Sequence, residues 1–245
     1  MAERTRLDLA LARRGLAESR AKAQELIRAG RVRVDGAVVT KPSQKVSPEA
    51  RLEVEGPEPY AGRAAHKLLG ALETFGIEPE GEVWADVGAG AGGFTQVLLE
   101  RGARKVYAVD VGHGQLHPRL RADPRVVVLE GVNARHLEAL PELVGGAVMD
   151  LSFISSTLVL PGLRRWLRPG GRALVLVKPQ FELEPGTHTG VVRDPELRRR
   201  AVERVRSVAR SLGFAVRGEA ESPLPGKEGN REFWLYLDAP HGDVT

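Results

Sequence analysis

The sequence predicts an α/β protein in which a small N-terminal α+β domain precedes a larger domain built on a mainly parallel sheet. In the larger region, short apolar runs alternate with helical stretches, the pattern of a parallel sheet with helices on both faces. In the smaller region the apolar spacing changes from helical to alternating, and a stretch rich in Gly, Pro and charge separates the two regions. We assign residues 1–58 to the first domain, 59–63 to a linker, 64–240 to the second domain and 241–245 to a tail.

The composition is typical of a soluble globular protein. Of the 245 residues, 42% are hydrophobic and 28% charged, and no apolar run approaches the length that spans a bilayer. The polar N-terminal residues lack the apolar region of a signal peptide, so we expect a cytoplasmic location and no membrane partner. The lack of cysteine excludes disulfides and thiolate ligands, and the six histidines show no ligand spacing, so no metal is expected.

Positive charge is concentrated near the N-terminus. Residues 1–45 carry 11 Lys and Arg against 5 Asp and Glu, whereas the net charge of the whole chain is only +4. A local excess of basic side chains is the electrostatic footprint of a nucleic-acid partner. The alternative is a merely solvated basic face on a small helical domain.

The first 36 residues predict two helices followed by a hairpin. Apolar residues at helical spacing begin at Leu7, and a second helical stretch has Ser19 as its N-cap and Gly30 just after its last turn. Valines then alternate with polar residues around Asp35 and Gly36, a dipeptide that favours a tight hairpin turn.

The segment LDLALARRGLAESRAKAQELIRAGRVRVDG resembles the S4-type RNA-binding domain of ribosomal proteins and pseudouridine synthases. The resemblance implies that basic side chains of this domain contact RNA phosphates, which positions RNA without reading much of its sequence. The candidate RNA-binding residues are Arg6, Arg20, Lys22, Arg28, Arg31 and Arg33.

Five strands are predicted in the second domain, within the segments GEVWADVGAG, KVYAVDV, VVVLEGV, GAVMDLSF and RALVLVKPQF, and a further strand near its end. A long helix should begin at Asp194 and Pro195, as cap and first helical residue. Its expected buried stripe consists of Leu197, Ala201, Val205, Val208 and Leu212. In open parallel sheets ligands bind beyond the C-terminal ends of the strands, so functional residues should cluster there.

Glycines follow the first of these strands. Gly88, Gly90 and Gly93 fit the pattern G-x-G-x-x-G, and Asp110 ends the next strand about twenty residues later. Alone, this pattern fits either a nicotinamide dinucleotide or S-adenosylmethionine, because an acidic side chain there can accept hydrogen bonds from the ribose of both. Asp86 at the strand exit favours S-adenosylmethionine, and the segment DVGAGAGGFT resembles motif I of methyltransferases.

This resemblance implies a cofactor site at the first three strand exits, formed by Asp86, Gly88, Gly90, Gly92, Gly93, Phe94, Asp110 and Asn133. Asn133 follows the third strand, where methyltransferases often contact adenine through a polar side chain. Capping of a turn is its alternative role.

Two charged residues follow the next strands, Asp150 in MDLSF and Lys178 in VKPQF. Methyltransferases that act on exocyclic amines often have an Asn/Asp-Pro-Pro-aromatic motif at the strand exit where Lys178 stands here. A lysine there instead suggests a general base, because a neighbouring cation or loss of solvent favours the neutral, proton-accepting form of an amine.

The whole chain resembles the TlyA-type family, historically labelled hemolysin A-like, which modifies ribosomal RNA and is related to the FtsJ-type ribose methyltransferases. The resemblance implies a Rossmann-like class I methyltransferase sheet, an S4-like N-terminal domain and S-adenosylmethionine as cofactor. It also implies methylation of a ribose 2'-hydroxyl, that of cytidine in 16S rRNA, 23S rRNA or both, with ribosomal RNA or ribosomal subunits as partner. The Lys-Asp-Lys-Glu tetrad of these enzymes falls on Lys67, Asp150, Lys178 and Glu232.

Within this tetrad we predict that Lys178 takes the proton of the ribose hydroxyl, while the cofactor sulfonium and Lys67 keep its amine less basic and Asp150 orients it. Glu232 would hold Lys67 or the hydroxyl. Two other functions remain open: a membrane-active hemolysin, which the family's older label suggests, and a ribosome-binding factor without catalytic activity. The sequence offers the hemolysin no spanning segment and only 5% aromatic residues, and the complete tetrad argues against the second.

Overall fold

The structure is a computed structural model that describes residues 4–56 and 60–242. The ends of the predicted first domain, residue 59 of the predicted linker and residues 243–245 of the predicted tail lie outside the described residues. The chain divides into two compact units, Met1–Arg63 and Ala64–Thr245.

The first unit has two helices and five short strands among its described residues. They are β1 Thr5–Arg6, α1 Leu7–Arg13, α2 Arg20–Arg28, β2 Val32–Val34, β3 Ala37–Val38, β4 Lys45–Val46 and β5 Leu52–Val54. Strand β2 pairs antiparallel with β3 and β5, and β1 pairs antiparallel with β4. Apolar side chains of both helices and of β2 form one buried core, which includes Leu7, Leu11, Ile27 and Val32.

The turn signals of the first unit act as predicted. The Ser19 hydroxyl accepts a hydrogen bond from the backbone N–H of Lys22 and caps α2. Gly30 follows α2 with a φ of +72°, and Asp35 and Gly36 both have positive φ between β2 and β3. Two successive left-handed residues match the twist of a two-residue hairpin, which is why Asp-Gly works at this position.

The second unit is an α/β layer structure. Its described helices are α3 Ala64–Phe75, α4 Gly93–Glu100, α5 Pro118–Arg121, α6 Leu160–Trp166, α7 Pro179–Glu182 and α8 Pro195–Ser211. Its described strands are β6 Val83–Val87, β7 Lys105–Val109, β8 Val126–Leu129, β9 Val144–Met149, β10 Leu167–Val177, β11 Ala215–Glu221 and β12 Phe233–Asp238. These seven strands form one sheet in the order β11-β12-β10-β9-β6-β7-β8.

Strand β12 is antiparallel to its neighbours β10 and β11, whereas the pairs from β10 to β8 are parallel. The chain moves from β6 outward through β7 to β8, then returns to place β9 on the other side of β6. The strand order therefore reverses between β6 and β9. Such a switch point opens a crevice beyond the strand ends, where ligands of open α/β sheets bind.

Two details of this unit differ from the predictions. Strand β11 was not predicted from the sequence, because this edge strand carries charged residues and none of its seven residues is fully buried. In α8 the cap is Asp194 as predicted, but the fully buried side chains are Ala201, Val202, Val205 and Ala209, while Leu197, Val208 and Leu212 are partly buried. The face that packs on the sheet is therefore rotated slightly from the predicted stripe.

Within the described part of the chain, no helix combines the length and apolar character that crossing a bilayer requires. The same residues contain no group of three or more His, Cys, Asp or Glu side chains placed to hold a metal ion.

Candidate active site

Asp86 lies near the end of β6, at the switch point, and is fully buried. One carboxylate oxygen, Oδ2, accepts a hydrogen bond of 2.8 Å from the Thr95 hydroxyl, while Oδ1 is buried without a hydrogen-bond partner among the described residues. Burial raises the pKa of Asp86 to about 7. A buried acceptor without a donor is costly, so this oxygen is a candidate to accept a hydrogen bond from a ligand.

The glycines that follow β6 have different physical roles. A Cβ on Gly88 would overlap the backbone carbonyl of Asp150, so this glycine lets the exits of β6 and β9 touch. A Cβ on Gly92 would overlap leucine side chains beneath the turn, whereas a Cβ on Gly90 would meet nothing within 4 Å. Gly93 is the first residue of α4 and is buried. Open space next to the chain is thus found at Gly90, where a ligand can approach the backbone.

Asp110 follows β7, and each of its carboxylate oxygens accepts a backbone hydrogen bond, one of them from the glycine turn after β6. Oδ2 accepts a hydrogen bond of 2.8 Å from the N–H of Gly90, and Oδ1 accepts one of 2.8 Å from the N–H of Gly112. The carboxylate is half-buried. Its orientation is fixed before any ligand binds, which lowers the entropic cost of recognising a pair of hydroxyls.

Two of the predicted cofactor residues have other contacts. The Phe94 ring is buried in the core, with its centroid 5.7 Å from that of Trp234, and a cofactor contact by Phe94 stays a prediction. Asn133 is exposed, and its Oδ1 accepts a hydrogen bond from the N–H of Arg135, which caps a short 3-10 helix. An adenine contact by the remaining amide N–H of Asn133 stays a prediction.

Lys67 and Glu232 form a buried ion pair. Nζ of Lys67, on α3, lies 2.7 Å from Oε2 of Glu232, and their side chains are 7% and 2% exposed. The two residues are 165 positions apart in sequence. Glu232 immediately precedes β12, whose N-terminal end lies at the C-terminal edge of the parallel strands because β12 runs in the opposite direction.

Asp150 and Lys178 form a second, less buried ion pair. Nζ of Lys178 lies 2.6 Å from Oδ1 of Asp150 and donates a hydrogen bond of 3.0 Å to the Ser152 hydroxyl. The side chains of the pair are 12% and 16% exposed, so the amine is largely desolvated yet reachable from outside.

The strand register relates the two ion pairs. Val177 on β10 is registered with Phe233 on β12, so one further step of this antiparallel pairing sets Lys178 opposite Glu232. Asp150 follows β9, the other neighbour of β10. The tetrad residues Asp150, Lys178 and Glu232 therefore stand at three adjacent strand ends on one edge of the sheet.

The loop that follows Asp150 has features that no pattern in the sequence predicts. Phe153 is 91% exposed and has a φ of +64°. Residues other than glycine adopt this left-handed backbone conformation at a cost of about 1–2 kcal/mol. Its ring centroid lies 5.2 Å from that of Phe181. An exposed aromatic ring two residues beyond Leu151, in a strained backbone beside Lys178, provides a flat apolar surface at the rim of the site.

Glu182 holds this loop in place. Its buried carboxylate accepts hydrogen bonds from the Ser155 hydroxyl, at 2.5 Å, and from the N–H of Ser156, at 2.7 Å. Burial raises the pKa of Glu182. Because Glu182 lies on α7, directly after Lys178, it connects the loop after β9 to the exit of β10. No periodicity or motif in the sequence identifies it.

The predicted RNA-binding residues of the first unit fall into two groups. Arg6 and Arg20 both contact Asp8 and remain partly exposed, and Arg28 is exposed. Lys22, Arg31 and Arg33 have local partners: Lys22 pairs with Glu25, Arg33 pairs with Glu55, and Arg31 donates to backbone carbonyls at the end of the unit. Arg31 therefore stabilises the unit, a role that the charge pattern did not reveal.

A sheet in which one antiparallel strand is inserted beside the edge, with a glycine turn and a buried acid at its switch point, defines the protein as a methyltransferase. More specifically, the chain belongs to the FtsJ-like methyltransferase family, which it matches over residues 60–239, and it matches the S4 domain over residues 5–52. The nicotinamide alternative for the glycine pattern is thereby excluded.

Relatives cover nearly the whole chain. It is 50% identical over 245 residues to the 16S/23S rRNA (cytidine-2'-O)-methyltransferase TlyA of Mycobacterium tuberculosis. The alignment covers 97% of this chain and 91% of the relative. It is 39% identical to Hemolysin A of Brachyspira hyodysenteriae, over 95% of this chain and 99% of the relative. A solved structure from Streptococcus thermophilus that is named for hemolysin covers 100% of this chain and 92% of that one, with 37% identity and a TM-score of 0.75.

Proposed function

We propose that this methyltransferase transfers a methyl group from S-adenosylmethionine to a ribose 2'-hydroxyl of ribosomal RNA, that of cytidine in 16S rRNA, 23S rRNA or both. The observation that carries the proposal is the Lys178–Asp150 pair at the exits of β10 and β9. The carboxylate and the Ser152 hydroxyl fix the direction of a partly accessible amine, and in its neutral form such an amine can remove a proton from an alcohol. The name of the Mycobacterium tuberculosis relative supports the acceptor.

Three features of the second unit fit S-adenosylmethionine. The unpartnered Oδ1 of Asp86 can accept a hydrogen bond from the cationic amino group, and the open space at Gly90 leaves room beside the backbone. The preset carboxylate of Asp110 can accept from the ribose hydroxyls, and Asn133 is proposed to reach the adenine. When bound, this cofactor supplies an electrophilic methyl group.

The chain's own residues then position the acceptor and remove its proton. The base is the neutral form of Lys178, whose ammonium proton has passed to solvent. Its Nζ takes the proton of the 2'-hydroxyl, which leaves the oxygen as the nucleophile for the methyl group. Asp150 and the Ser152 hydroxyl fix the direction of that amine. Glu232, held by Lys67, completes the wall of the site beside Lys178. Alignment of the reacting groups contributes most of the rate enhancement in such a site.

In this proposal the first unit binds the RNA, with ribosomal RNA or ribosomal subunits as partner, through the six predicted residues Arg6, Arg20, Lys22, Arg28, Arg31 and Arg33. The match of residues 5–52 to the S4 domain supports this division of roles.

Methyl incorporation tests the acceptor directly. The protein is incubated with S-adenosylmethionine carrying a tritiated methyl group and with 16S rRNA, 23S rRNA or isolated ribosomal subunits, and the labelled RNA is hydrolysed in alkali. We expect label in alkali-resistant dinucleotides with cytidine on the 5' side, because a 2'-O-methyl group prevents cleavage of the adjacent phosphodiester. Label in mononucleotides, or no label in any RNA, would contradict the proposal.

Cofactor affinity should depend on pH through Asp86. With a pKa of about 7, the carboxyl of the free protein is mostly protonated at pH 5.5 and mostly ionised at pH 7.5. Only the ionised form pairs with a cation, so the dissociation constant of S-adenosylmethionine should fall about twentyfold across this range. The range stays below the pKa of an α-amino group, about 7.7. Calorimetric titration at several pH values measures the change.

Asp86→Asn is the control for this measurement, since it keeps the shape and removes the titration. Its cofactor affinity should be weaker at pH 7.5 and nearly independent of pH. A wild-type profile as flat as that of the variant would show that Asp86 does not contact the charged end of the cofactor.

A further inference from the structure

We propose that Asp8 in the first unit holds Arg6 and Arg20 as a preformed two-guanidinium site for a backbone phosphate of RNA. The Asp8 side chain is fully buried. Arg6 donates to it through Nε at 3.0 Å and Nη2 at 2.8 Å, and Arg20 donates through Nε at 3.1 Å. The inference rests on the proposed function, which supplies RNA as the ligand.

The fold fixes the position of this carboxylate. Asp8 lies in the first turn of α1, and its backbone N–H donates to the carbonyl of Pro42. Gln24 of α2 and the N–H of Leu9 donate further hydrogen bonds, of 2.8 Å and 2.9 Å, to the carboxylate oxygens. The hydrogen bonds from Arg6, with smaller contributions from Gln24 and Arg20, hold the pKa of Asp8 far below its usual range. The anchor therefore stays ionised at physiological pH.

The cluster of Asp8, Arg6 and Arg20 carries more positive charge than is needed to neutralise the buried carboxylate. One arginine would neutralise a buried carboxylate, but two are gathered on Asp8, which leaves a net charge of +1. In the described contacts Arg20 uses only its Nε, and Arg6 uses one edge of its guanidinium. The side chains remain 34% and 50% exposed, so the other N–H groups face outward.

Phosphate is the ligand that two such groups recognise. Guanidinium forks donate parallel hydrogen bonds to phosphate oxygens, and long arginine side chains normally lose rotamer entropy when they bind. Here Asp8 has already restricted both side chains, so that cost falls on folding rather than on RNA binding. Asp8 is thus a positioning residue that acts through Arg6 and Arg20.

Because of this arrangement, Asp8→Asn should weaken RNA binding, whereas the change in charge alone would strengthen it. Loss of the carboxylate makes the first unit more positive by one charge, so simple attraction would tighten RNA binding. Loss of the anchor releases both guanidinium groups, so we expect binding to weaken by five- to tenfold. The slope of log affinity against log salt concentration should become shallower by about 1 to 2, as one or two phosphate contacts are lost.

Glu49→Gln is the matched control. Glu49 is an exposed acid of the same unit that pairs with none of the proposed RNA-binding residues in the described contacts, and its substitution changes the net charge by the same amount. It should bind RNA at least as tightly as the wild type. Full-length proteins are titrated with deproteinised 23S and 16S rRNA at several KCl concentrations, and thermal unfolding confirms that each variant is folded at the temperature of the titration.

A double-mutant cycle separates positioning from a general loss of structure. In an Arg6→Gln, Arg20→Gln background, adding Asp8→Asn should cause no further loss of RNA affinity, because the groups that Asp8 positions are gone. The inference would be overturned if Asp8→Asn alone bound RNA as tightly as the wild type or more tightly. It would also be overturned if Asp8→Asn lowered RNA affinity as much in the double-glutamine background as it does in the wild type. If the wild type neither binds nor methylates ribosomal RNA, the proposed function itself fails, which is a different result.

Discussion

Replacing Lys178 with alanine should lower the rate of methyl transfer at least about a thousandfold and leave the affinity for S-adenosylmethionine within about twofold of the wild type. In the proposal, the amine of Lys178 acts on the acceptor hydroxyl, whereas the residues proposed to hold the cofactor lie at the exits of β6 and β7 and after β8. Single-turnover methylation of ribosomal RNA measures the first effect, and calorimetric titration measures the second.

Lys178→Arg distinguishes a base from a structural cation. Arginine preserves the positive charge and can still pair with Asp150 at the exit of β9. It does not release its proton at physiological pH, so this variant should be folded, should bind the cofactor and should be almost as inactive as the alanine variant. Substantial turnover by the arginine variant would refute the assignment of Lys178 as the base and leave it a role in charge neutralisation.

The second large effect concerns the buried pair of Lys67 and Glu232. Removing one partner leaves an uncompensated charge in a site that is 7% exposed or less, so Lys67→Met and Glu232→Leu should each lower the free energy of unfolding by about 3–5 kcal/mol. The double variant replaces both charges with apolar groups and should recover stability to within about 1 kcal/mol of the wild type. It should not recover methyl transfer.

Tryptophan fluorescence during urea unfolding suits this measurement. The three tryptophans of the chain, Trp84, Trp166 and Trp234, all lie in the second unit and are buried, so the signal reports on that unit alone. A stable and fully active double variant would show that the pair has no part in the reaction. A double variant as unstable as the single ones would show that the charges, rather than the missing partner, determine stability.

Local signals in the sequence predicted local structure well. Ser19, Gly30 and the Asp35-Gly36 dipeptide act through their immediate neighbours, as do Asp194 and Pro195 at the start of α8, and the structure places each as expected. The alternation of strands and helices likewise predicted the parallel part of the sheet, because each βα unit carries its own apolar pattern.

Features that depend on distant contacts were not accessible in this way. Nothing in the sequence pairs Lys67 with a residue 165 positions away, and only the family resemblance brought Glu232 into consideration. The polar residues of β11 hid an edge strand whose partner, β12, is recognisable only after the sheet forms. Phe94 and Asn133 lie where cofactor contacts were expected, but the packing against Trp234 and the capping of a 3-10 helix depend on the tertiary structure.

The reversed direction of β12 affects when the basic surface and the candidate active site form during translation. Glu232 lies just before the start of this strand, beside the ends of β9 and β10. The candidate active site therefore stays incomplete until residue 232 has left the ribosomal tunnel. Until then Lys67 lacks its carboxylate partner, so burial of its ammonium group is unfavourable. The first unit has by that time long emerged, so a nascent chain gains its basic surface well before the four residues of the candidate active site can come together.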